Sequence, residues 1–299
     1  MTTAGSSATK PSSPYVSGPS THFGFEEVGV NEKEGRVRQV FDNVADSYDV
    51  MNDLMSGGLH RLWKDYLLDR SYVETIAPIA RRRYSELTQE EQFRILDVAG
   101  GTGDVAFRFI DAADCLERSK SSGDDPVSVT VCDINKEMLR VGESRARKRY
   151  GNQLLDDSKA LRFVEGNAQD LHQFDDNTYD LYTIAFGLRN VTDVDKALSE
   201  ACRVLKPGGR FMCLEFSQVP NHLFRAVYDS YSFHVIPAMG EAVAGDRPSY
   251  QYLVESIRKF SNQEELMARM ETAGFGEIKY TNLTGGIVAL HEGWKPLTD

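Results

Sequence analysis

The fold is decided by the stretch Ile95-Leu96-Asp97-Val98-Ala99-Gly100-Gly101-Thr102-Gly103-Asp104, in which an apolar run passes into a glycine-rich turn and then into a helical segment. An apolar run that ends at consecutive glycines is typical of a buried strand followed by a sharp turn. Glycines let the backbone approach a ligand closely, and the N–H groups that open the next helix can hold polar atoms. The stretch therefore predicts a ligand site at the carboxyl end of a sheet strand.

Outward from this stretch, short β-branched runs alternate with helical stretches. The predicted strands are 94–98, 128–132, 162–165, 179–185 and 209–215. The predicted helices are 105–113, 136–150, 194–205 and 263–273. This alternation predicts an α/β fold, in which a parallel sheet carries helices on both faces.

Three other regions lie outside the alternation. Residues 1–22 are rich in Ser, Thr, Pro and Gly and predict a disordered or targeting tail, and 23–84 predict an N-terminal helical extension. The main domain then covers 85–299, with an aromatic-rich insertion at 221–260. The insertion predicts either an extra helical pair over the sheet or an aromatic lid over a ring-shaped, apolar substrate.

The composition restricts the class of partner and cofactor. The formal net charge is −11, which argues against nucleic-acid binding because that function needs a basic face. No His or Cys residues are spaced as metal ligands, so the sequence predicts no metal site.

A carboxylate follows the second predicted strand. Asp133 stands at the end of the apolar run Val129–Cys132, where it can accept hydrogen bonds from both hydroxyls of a ribose. Its alternative role is a helix N-cap, because Asn135 opens a helical run. Together with the glycine turn, Asp133 indicates a cofactor that contains adenosine.

The glycine turn leaves two cofactor classes open. Gly101-x-Gly103-x-x-Ala106 satisfies a relaxed dinucleotide fingerprint, which would indicate a nicotinamide or flavin enzyme. In such enzymes the acidic residue follows after about 20 residues. Asp133 is separated from Gly103 by 30 residues, and a polar stretch at 117–125 accounts for the excess as a loop insertion.

The assembled motifs resemble a class I methyltransferase. They are Asp97-x-x-x-Gly101-x-Gly103, Asp133, Asn167-Ala168 and Lys206-Pro207-Gly208-Gly209. Three longer segments are similar to signatures of the quinone-biosynthesis C-methyltransferases, and the likeness to the ubiquinone branch runs from about Phe23 to about Trp294. These segments are Tyr48-Asp49-Val50-Met51-Asn52 with Ser56, His60 and Trp63; Asp180 to Asn190; and Arg203 to Gly209, ending in Glu215-Phe216-Ser217.

The resemblance implies a fold, a reaction and a setting. The fold is a Rossmann-like, mostly parallel sheet of seven strands with the last strand antiparallel. The reaction is C-methylation of a prenylated methoxy-benzoquinol in ubiquinone biosynthesis, with S-adenosylmethionine as the cofactor. The setting is the matrix side of the mitochondrial inner membrane, as a peripheral homodimer within a multi-subunit ubiquinone-biosynthesis complex. The implied cofactor-binding residues are Gly101, Thr102, Gly103, Asp133, Asn167 and Ala168.

Four residues are candidates for catalysis, because methylation of a ring carbon is helped by a base or by a cation that stabilises a phenolate. Arg189 closely follows the fourth strand and stays protonated, so it is predicted to hold the substrate oxygen as an anion; its alternative role is a salt bridge. Tyr48 and Asp49 come from an N-terminal helix that can fold over the cofactor. His60 has the pKa range of a base, although a histidine between polar and aromatic neighbours is often only packed.

Three functions remain compatible with these observations. The first is a quinol C-methyltransferase, and the second is an NAD-dependent oxidoreductase that uses the same glycine turn. The third is a non-catalytic scaffold subunit of a quinone-biosynthesis complex, since a fold alone does not establish activity.

Overall fold

The computed structural model describes residues 20–44, 48–71, 92–117, 127–157 and 160–297. The start of the predicted tail (1–19), the predicted domain boundary near 84 and most of the polar stretch at 117–125 lie outside the described residues.

The described residues form nine strands and ten α-helices. The strands are β1 Ser20–Phe23, β2 Glu26–Gly29, β3 Phe93–Val98, β4 Val127–Asp133, β5 Leu161–Glu165, β6 Tyr179–Ala185, β7 Leu205–Phe216, β8 Gly276–Leu283 and β9 Val288–Trp294. The helices are α1 Val30–Val44, α2 Tyr48–Ser56, α3 Leu59–Ser71, α4 Asp104–Glu117, α5 Lys136–Tyr150, α6 Val194–Val204, α7 His222–His234, α8 Ile236–Ala244, α9 Arg247–Lys259 and α10 Gln263–Thr272. Within these ranges, none of the helices has both the length and the apolar character needed to span a bilayer.

Seven of the strands form one sheet in the order β5-β4-β3-β6-β7-β9-β8. Strands β3 to β7 pair in parallel, while β9 is antiparallel to both β7 and β8. The predicted mostly parallel sheet with an antiparallel last strand is therefore confirmed. The chain order reverses beside β3, whose neighbours are β4 and β6, and this is the point where an open parallel sheet binds ligands.

The sheet is buried on both faces, which explains the near-continuous apolar runs in its strands. Ile95 and Leu96, which point to opposite faces of β3, are both fully buried. Helix α6 covers one face with Ala197, Leu198 and Ala201, which recur at helical spacing. The carboxyl ends of the parallel strands are thus held by a rigid core.

The N-terminal region differs from the prediction. Ser20–Phe23 and Glu26–Gly29 pair as an antiparallel hairpin ahead of α1, so ordered structure begins before Phe23 and is not helical at first. Gly24 occupies the turn at φ 60°. The ring of Phe23 stacks on Tyr252 with centroids 4.1 Å apart, and this long-range packing stabilises a segment whose local composition predicts disorder.

The insertion is helical, as predicted, but it contains three helices instead of a pair. Gly245, at φ 66°, ends α8, and the side chain of Asp246 caps α9 by accepting from the N–H of Ser249 at 3.1 Å. Pro248 lies in the first turn of α9. The sequence Gly-Asp-Arg-Pro thus carries a helix stop and a helix start in four residues.

Candidate active site at the carboxyl edge of the sheet

A cavity of about 1050 Å³, part of it open to solvent, lies at the carboxyl ends of β3, β4, β5 and β6. Its wall comes from the segments that follow these four strands, together with one face of α1 and Lys64 of α3. Among the predicted cofactor residues, five line this wall: Gly101, Thr102, Asp133, Asn167 and Ala168. The structure therefore brings together residues that lie up to 67 positions apart in the sequence.

The glycine turn after β3 depends on the absence of side chains. Gly101 and Gly103 have φ values of 52° and 81°, in the left-handed region. A Cβ on Gly100 would lie 2.8 Å from both Asp97 Oδ2 and Val131 Cγ1. Gly103 does not line the cavity; its N–H donates to the carbonyl of Gly100 at 2.9 Å and shapes the turn.

Asp133 ties the glycine turn to the end of β4. Its Oδ2 accepts from the N–H of Gly101 at 2.9 Å, and its Oδ1 accepts from the N–H of Asn135 at 2.8 Å. Burial raises the pKa of Asp133 to about 6, although these backbone hydrogen bonds oppose the rise. A carboxylate has about four lone-pair sites, so Asp133 keeps acceptor capacity for a ligand in the cavity.

Asp97 carries a buried acceptor without a partner. Its Oδ1 accepts from Thr183 Oγ1 at 2.7 Å, whereas its Oδ2 has no hydrogen-bond partner among the described residues. Burial raises the pKa of Asp97 to about 7. Asp97 lines the cavity, and its unpaired Oδ2 is itself buried next to Gly100, so it is an unsatisfied acceptor beneath the glycine turn.

Lys64 supplies a buried cation to the same part of the cavity. Its Nζ donates to Asp104 Oδ2 at 2.7 Å, and both residues line the wall. Burial alone would raise the pKa of Asp104, but the charges of Lys64 and Arg108 outweigh burial and hold the pKa below its usual value. The charge of Lys64 also opposes the rise that burial causes in the pKa of Asp97, so one ammonium acts on both carboxyl groups of this wall.

Helix α1 closes the cavity opposite the glycine turn. Glu34, Val37, Arg38 and Phe41 line the wall. The side chain of Asn135 donates to Asp42 Oδ1 at 2.8 Å and so fixes α1 against the segment after Asp133. Helix α1 thus borders the site, whereas the prediction placed Tyr48 and Asp49 on the covering helix and the structure places them on α2.

Neither of the two catalytic candidates whose side chains are described, Arg189 and His60, lines this cavity. Arg189 is buried, and its Nη1 lies 2.7 Å from Glu215 Oε1 and donates to the carbonyl of Phe186 at 2.5 Å. Its alternative role, a salt bridge, is therefore present, with a strand residue as the partner. Arg189 lines a neighbouring cavity, while the adjacent Asn190 lines the one described above.

His60 is packed away from the cavity wall. Its Nε2 lies 2.9 Å from Asp53 Oδ1, and burial, reinforced by the charge of Lys64, lowers its pKa to about 4. Its imidazole is therefore neutral at pH 7. Tyr48 and Asp49 begin α2, but their side chains lie outside the described part of the chain.

Comparison with known proteins identifies the family of the chain. Residues 29–295 match the ubiE/COQ5 methyltransferase family. The chain belongs to this family. Its cofactor is accordingly S-adenosylmethionine, and membership does not favour the nicotinamide alternative.

Relatives with about half of their aligned residues identical align with most of the chain. It is 51% identical over 280 residues to 2-methoxy-6-polyprenyl-1,4-benzoquinol methylase, mitochondrial, of Arabidopsis thaliana, covering 92% of this chain and 90% of that protein. The chicken (Gallus gallus) protein of the same name is 48% identical over 306 residues, with 94% and 90% covered. Ubiquinone/menaquinone biosynthesis C-methyltransferase UbiE of Brucella abortus (strain S19) is 52% identical over 273 residues, with 91% and 90% covered.

Two solved structures share the fold. The DszA carbon methyltransferase superposes with a TM-score of 0.53 at 14% identity, covering 89% of this chain and 67% of that one. The CurJ carbon methyltransferase gives 0.50 at 13% identity, with 89% and 70% covered. At these identities the likeness concerns the fold alone.

The residues present fit the cofactor that the family uses. Asp133, beside the glycine turn, offers acceptors for ribose hydroxyls, and Asn167 with Ala168 offers a polar side chain and backbone groups for a base. Asp97 and Lys64, which both line the cavity, are a carboxyl group and an ammonium of the kind that the two ends of a methionyl group require. The sequence identifies Asp97 only as part of a motif. It does not identify Lys64, which lies one helical turn after His60.

Phe186 is a second residue that sequence reasoning missed. It ends the β6 segment at φ 59°, a conformation that a bulky residue adopts only when its surroundings impose it. It lines the cavity, and its ring packs on Phe216 and Trp63 with centroids 5.0 Å and 6.1 Å away. The only local signal is its place between a buried strand and Gly187.

The insertion does not form a lid over this cavity. None of the described residues of 221–260 lines its wall. Tyr250 and Tyr252 are buried against the rest of the molecule instead. The cofactor cavity is covered by α1 instead, and the aromatic lid over a ring-shaped substrate stays a prediction.

Proposed function

We propose that this chain transfers the methyl group of S-adenosylmethionine to a ring carbon of 2-methoxy-6-polyprenyl-1,4-benzoquinol, as a step of ubiquinone biosynthesis. The observation that carries the proposal is the cavity at the carboxyl edge, which Asp133, the glycine turn and Asp97 line together. The high identity to enzymes of that name supports the same substrate.

The cofactor-facing residues divide the cavity into three regions. Asp133 holds the ribose, Asn167 and Ala168 hold the adenine, and Asp97 with Lys64 holds the methionyl end. When bound, S-adenosylmethionine supplies an electrophilic methyl group. The work of the chain is then to bring a nucleophilic carbon into line with that group and to exclude water.

Apolar residues at the other end of the cavity receive the quinol ring. Phe186, supported by Trp63 and Phe216, gives an aromatic wall next to the cofactor region. Asn190, whose Oδ1 accepts from Tyr252 at 3.0 Å, adds a polar group in the same wall. One flat apolar surface and one amide match a ring that carries hydroxyl groups.

Arg189 is the proposed cation for the substrate oxygen. It is next in sequence to Asn190, and its Nε has no hydrogen-bond partner among the described residues. It also holds the carbonyl of the strained Phe186, so it positions the aromatic wall. Tyr48, Asp49 and His60 stay predictions.

The reaction can be tested with purified protein and a labelled cofactor. S-adenosylmethionine with a deuterated methyl group is incubated with a short-tailed 2-methoxy-6-prenyl-1,4-benzoquinol kept reduced. We expect a product in which the label sits on a ring carbon, and no product from Asp133→Ala. The exposed Lys148, on α5, lines neither the cofactor cavity nor the neighbouring cavity that contains Arg189, so Lys148→Gln is the matched control and keeps full activity.

Two results would contradict this function. A label on the ring oxygen would exclude C-methylation. No transfer from a protein that still binds S-adenosylhomocysteine would favour the scaffold alternative.

The setting of the enzyme is a further part of the proposal. We propose a peripheral position on the matrix side of the mitochondrial inner membrane, as a homodimer in a multi-subunit ubiquinone-biosynthesis complex. The eukaryotic relatives reported above are named mitochondrial, and the polyprenyl tail of the substrate is a lipid. An apolar face on α7 supports contact with a bilayer: Leu223 is 82% exposed and Val227 is 68% exposed. The homodimer and the complex rest on family resemblance, and light scattering of the purified chain tests the former.

A further inference from the structure

A second cavity, of about 1150 Å³ and partly open to solvent, lies on the other side of the segment that follows β6. Val191 and Thr192 belong to the walls of both cavities. The second cavity is bounded by the β1 strand, α1, α9 and the segment leading into α10, and its wall is rich in hydroxyl groups such as those of Thr21 and Ser261. Arg189 is the one residue of this wall to which the proposed methyl transfer gives a role.

The wall of this cavity is cationic in a molecule whose net charge is −11. It contains Lys33, Arg189, Lys259 and Arg269, while Asp193 is the sole carboxylate among its described lining residues. Arg189 is paired with Glu215, and Arg269 Nε lies 2.6 Å from Asp195 Oδ1. Neither Lys33 nor Lys259 has a carboxylate partner within the described part of the chain.

Lys33 is buried without a counter-ion. It is only 7% exposed, and its Nζ donates to the carbonyl of Val191 at 3.0 Å. No carboxylate of the described residues pairs with it, and burial lowers its pKa to about 8. A buried ammonium has three donors and is costly to desolvate unless paired, so an anion in the cavity would stabilise it.

Lys259 brings a second ammonium to the same wall. It is exposed at the end of α9, and its Nζ lies 6.0 Å from the centre of the Phe25 ring without an ion pair among the described residues. Among the described residues, Asp193 forms no ion pair with either lysine; its Oδ1 accepts from the N–H of Lys196 and caps α6.

We propose that this second cavity binds an oxyanion of the phosphate class, held by Lys33 and Lys259 and by the hydroxyl groups of its wall. Two unpaired ammonium groups with nearby hydroxyl donors are the chemistry that recognises phosphate oxygens. The phosphate belongs either to a free ion or to the headgroup of an anionic lipid, and these sources share the same contacts.

Calorimetric titration of the full chain with inorganic phosphate, at constant ionic strength set by chloride, tests the site. We expect saturable binding by the wild type and an affinity that falls about tenfold or more in Lys33→Gln and in Lys259→Gln, since each removes a charge-assisted contact. Lys148→Gln is the matched control and binds as the wild type does. Lys259 is exposed, so its replacement reports on binding even where Lys33→Gln fails to fold.

Vesicles separate the two sources of phosphate. Stronger binding to phosphatidylglycerol than to phosphatidylcholine vesicles, lost in Lys259→Gln, assigns a lipid headgroup; saturable binding of free phosphate without that preference assigns a free ion. The proposal is overturned if neither probe distinguishes wild type from Lys259→Gln, or if Lys148→Gln weakens binding equally. We expect Lys259→Gln to bind S-adenosylhomocysteine with the affinity of the wild type. Measuring this on the same samples distinguishes failure of the phosphate site from failure of the proposed function.

Discussion

Two buried carboxylates, Asp97 and Asp133, set the electrostatics of the cofactor cavity. Burial raises the pKa of Asp97 to about 7 and that of Asp133 to about 6, because the loss of water disfavours the charged forms more than the surrounding hydrogen bonds favour them. A cationic cofactor would favour the charged forms of both. The cavity is therefore matched to a positively charged ligand before that ligand arrives.

The stability of the ligand-free protein is expected to report the ionisation of Asp97. A folded-state pKa of about 7 lies above the ordinary value of 3.8, so the folded protein binds more protons than the unfolded chain between these values. This contribution is favourable at low pH and is lost as the pH rises towards 7. We expect Asp97→Asn, which stays neutral, to gain about 2–4 kcal/mol over the wild type between pH 5 and pH 8.

Urea unfolding at the two pH values measures this difference. Thr183→Val removes the hydroxyl that donates to Asp97 Oδ1 and serves as a comparison in which the carboxyl group remains. If the free energies of unfolding of the wild type and of Asp97→Asn changed in parallel with pH, the pKa of Asp97 in the folded protein would not be raised.

Asp133 is expected to account for a large part of the cofactor affinity. Hydrogen bonds to a charged group contribute about 1.5–3 kcal/mol each, so Asp133→Asn should weaken binding of S-adenosylhomocysteine about 10- to 100-fold. Glu165→Gln, at the exposed end of the neighbouring β5, removes a charge nearby and leaves the affinity unchanged. Equal affinities of wild type and Asp133→Asn in calorimetry would remove Asp133 from the site.

Arg189 is expected to combine a structural and a catalytic role, which two substitutions separate. Arg189→Ala leaves Glu215 buried and unpaired and should cost about 3–5 kcal/mol of stability. Arg189→Lys keeps a cation but loses the forked donors, so we expect near-normal stability and cofactor affinity with kcat reduced about tenfold or more. Unchanged kcat in a folded Arg189→Lys would leave only the structural role.

Local sequence predicts some of these residues and not others. Asp133, Asn167 and Ala168 follow strand ends, where position along the chain fixes position at the sheet edge. Lys64 belongs to a separate N-terminal helix, and its contact with Asp104 joins residues 40 positions apart. No local pattern carries such a contact.

At the scale of elements, α1 decides how far the cavity is closed. The same helix gives Glu34 and Phe41 to the cofactor cavity and Lys33 to the second cavity. Residues three or four apart lie on one helix face while adjacent residues diverge. Helix α1 therefore forms the partition between two sites with different charge.

The packing of α8 on α9 requires a glycine, which gives a prediction with an internal control. A Cβ on Gly240 would lie 2.3 Å from Tyr250 Cγ, so Gly240→Ala should destabilise the fold by about 1–3 kcal/mol. Gly35, on α1, has nothing within 4 Å of such a Cβ, and Gly35→Ala should stabilise by about 0.5–1 kcal/mol. Thermal unfolding checks both changes. If the two substitutions shifted the melting temperature in the same direction, the packing of α8 on α9 would be contradicted.

The elements that the sequence predicts well are those with a strong periodic pattern. Strands β3 to β6 and helices α5 and α6 agree with their predicted ranges within one or two residues. The β1–β2 hairpin was missed because Ser20–Gly29 has little apolar alternation and is stabilised by the remote Tyr252. The third helix of the insertion was missed although Gly245 and Asp246 carry recognisable cap signals.

At the scale of the whole molecule, the exposed apolar face of α7 is expected to contact the bilayer that holds the substrate. Leu223, Val227 and Tyr231 recur at four-residue spacing and are 82%, 68% and 39% exposed. Replacing Leu223 and Val227 with Ser should weaken binding to phosphatidylcholine vesicles about tenfold or more, because each apolar side chain contributes about 1.5–3 kcal/mol when buried.

Leu297 provides the matched control for this face, because it is 78% exposed and lies outside α7. Leu297→Ser should bind vesicles as the wild type does. Equal vesicle binding by all three proteins would show that α7 does not contact the lipid. Turnover of a short-tailed, water-soluble quinol should be the same in all three.

The sequence predicts the architecture of the sheet more readily than it predicts which element covers the ligand edge. Alternating strands and helices fix the parallel sheet and place the ligand edge. Which element covers that edge depends on long-range contacts such as that of Asn135 with Asp42, and sequence reasoning considered both the N-terminal helix and the insertion as covers. Only the first covers the cofactor cavity.

A crystal structure of the chain with S-adenosylhomocysteine tests the central claim most directly. The account predicts ribose hydroxyls on Asp133, adenine beside Asn167 and Ala168, and the amino acid end between Asp97 and Lys64, with Phe41 of α1 over the ligand. Density for the ligand elsewhere, or a saturated crystal in which the protein's own side chains fill this cavity, would contradict it.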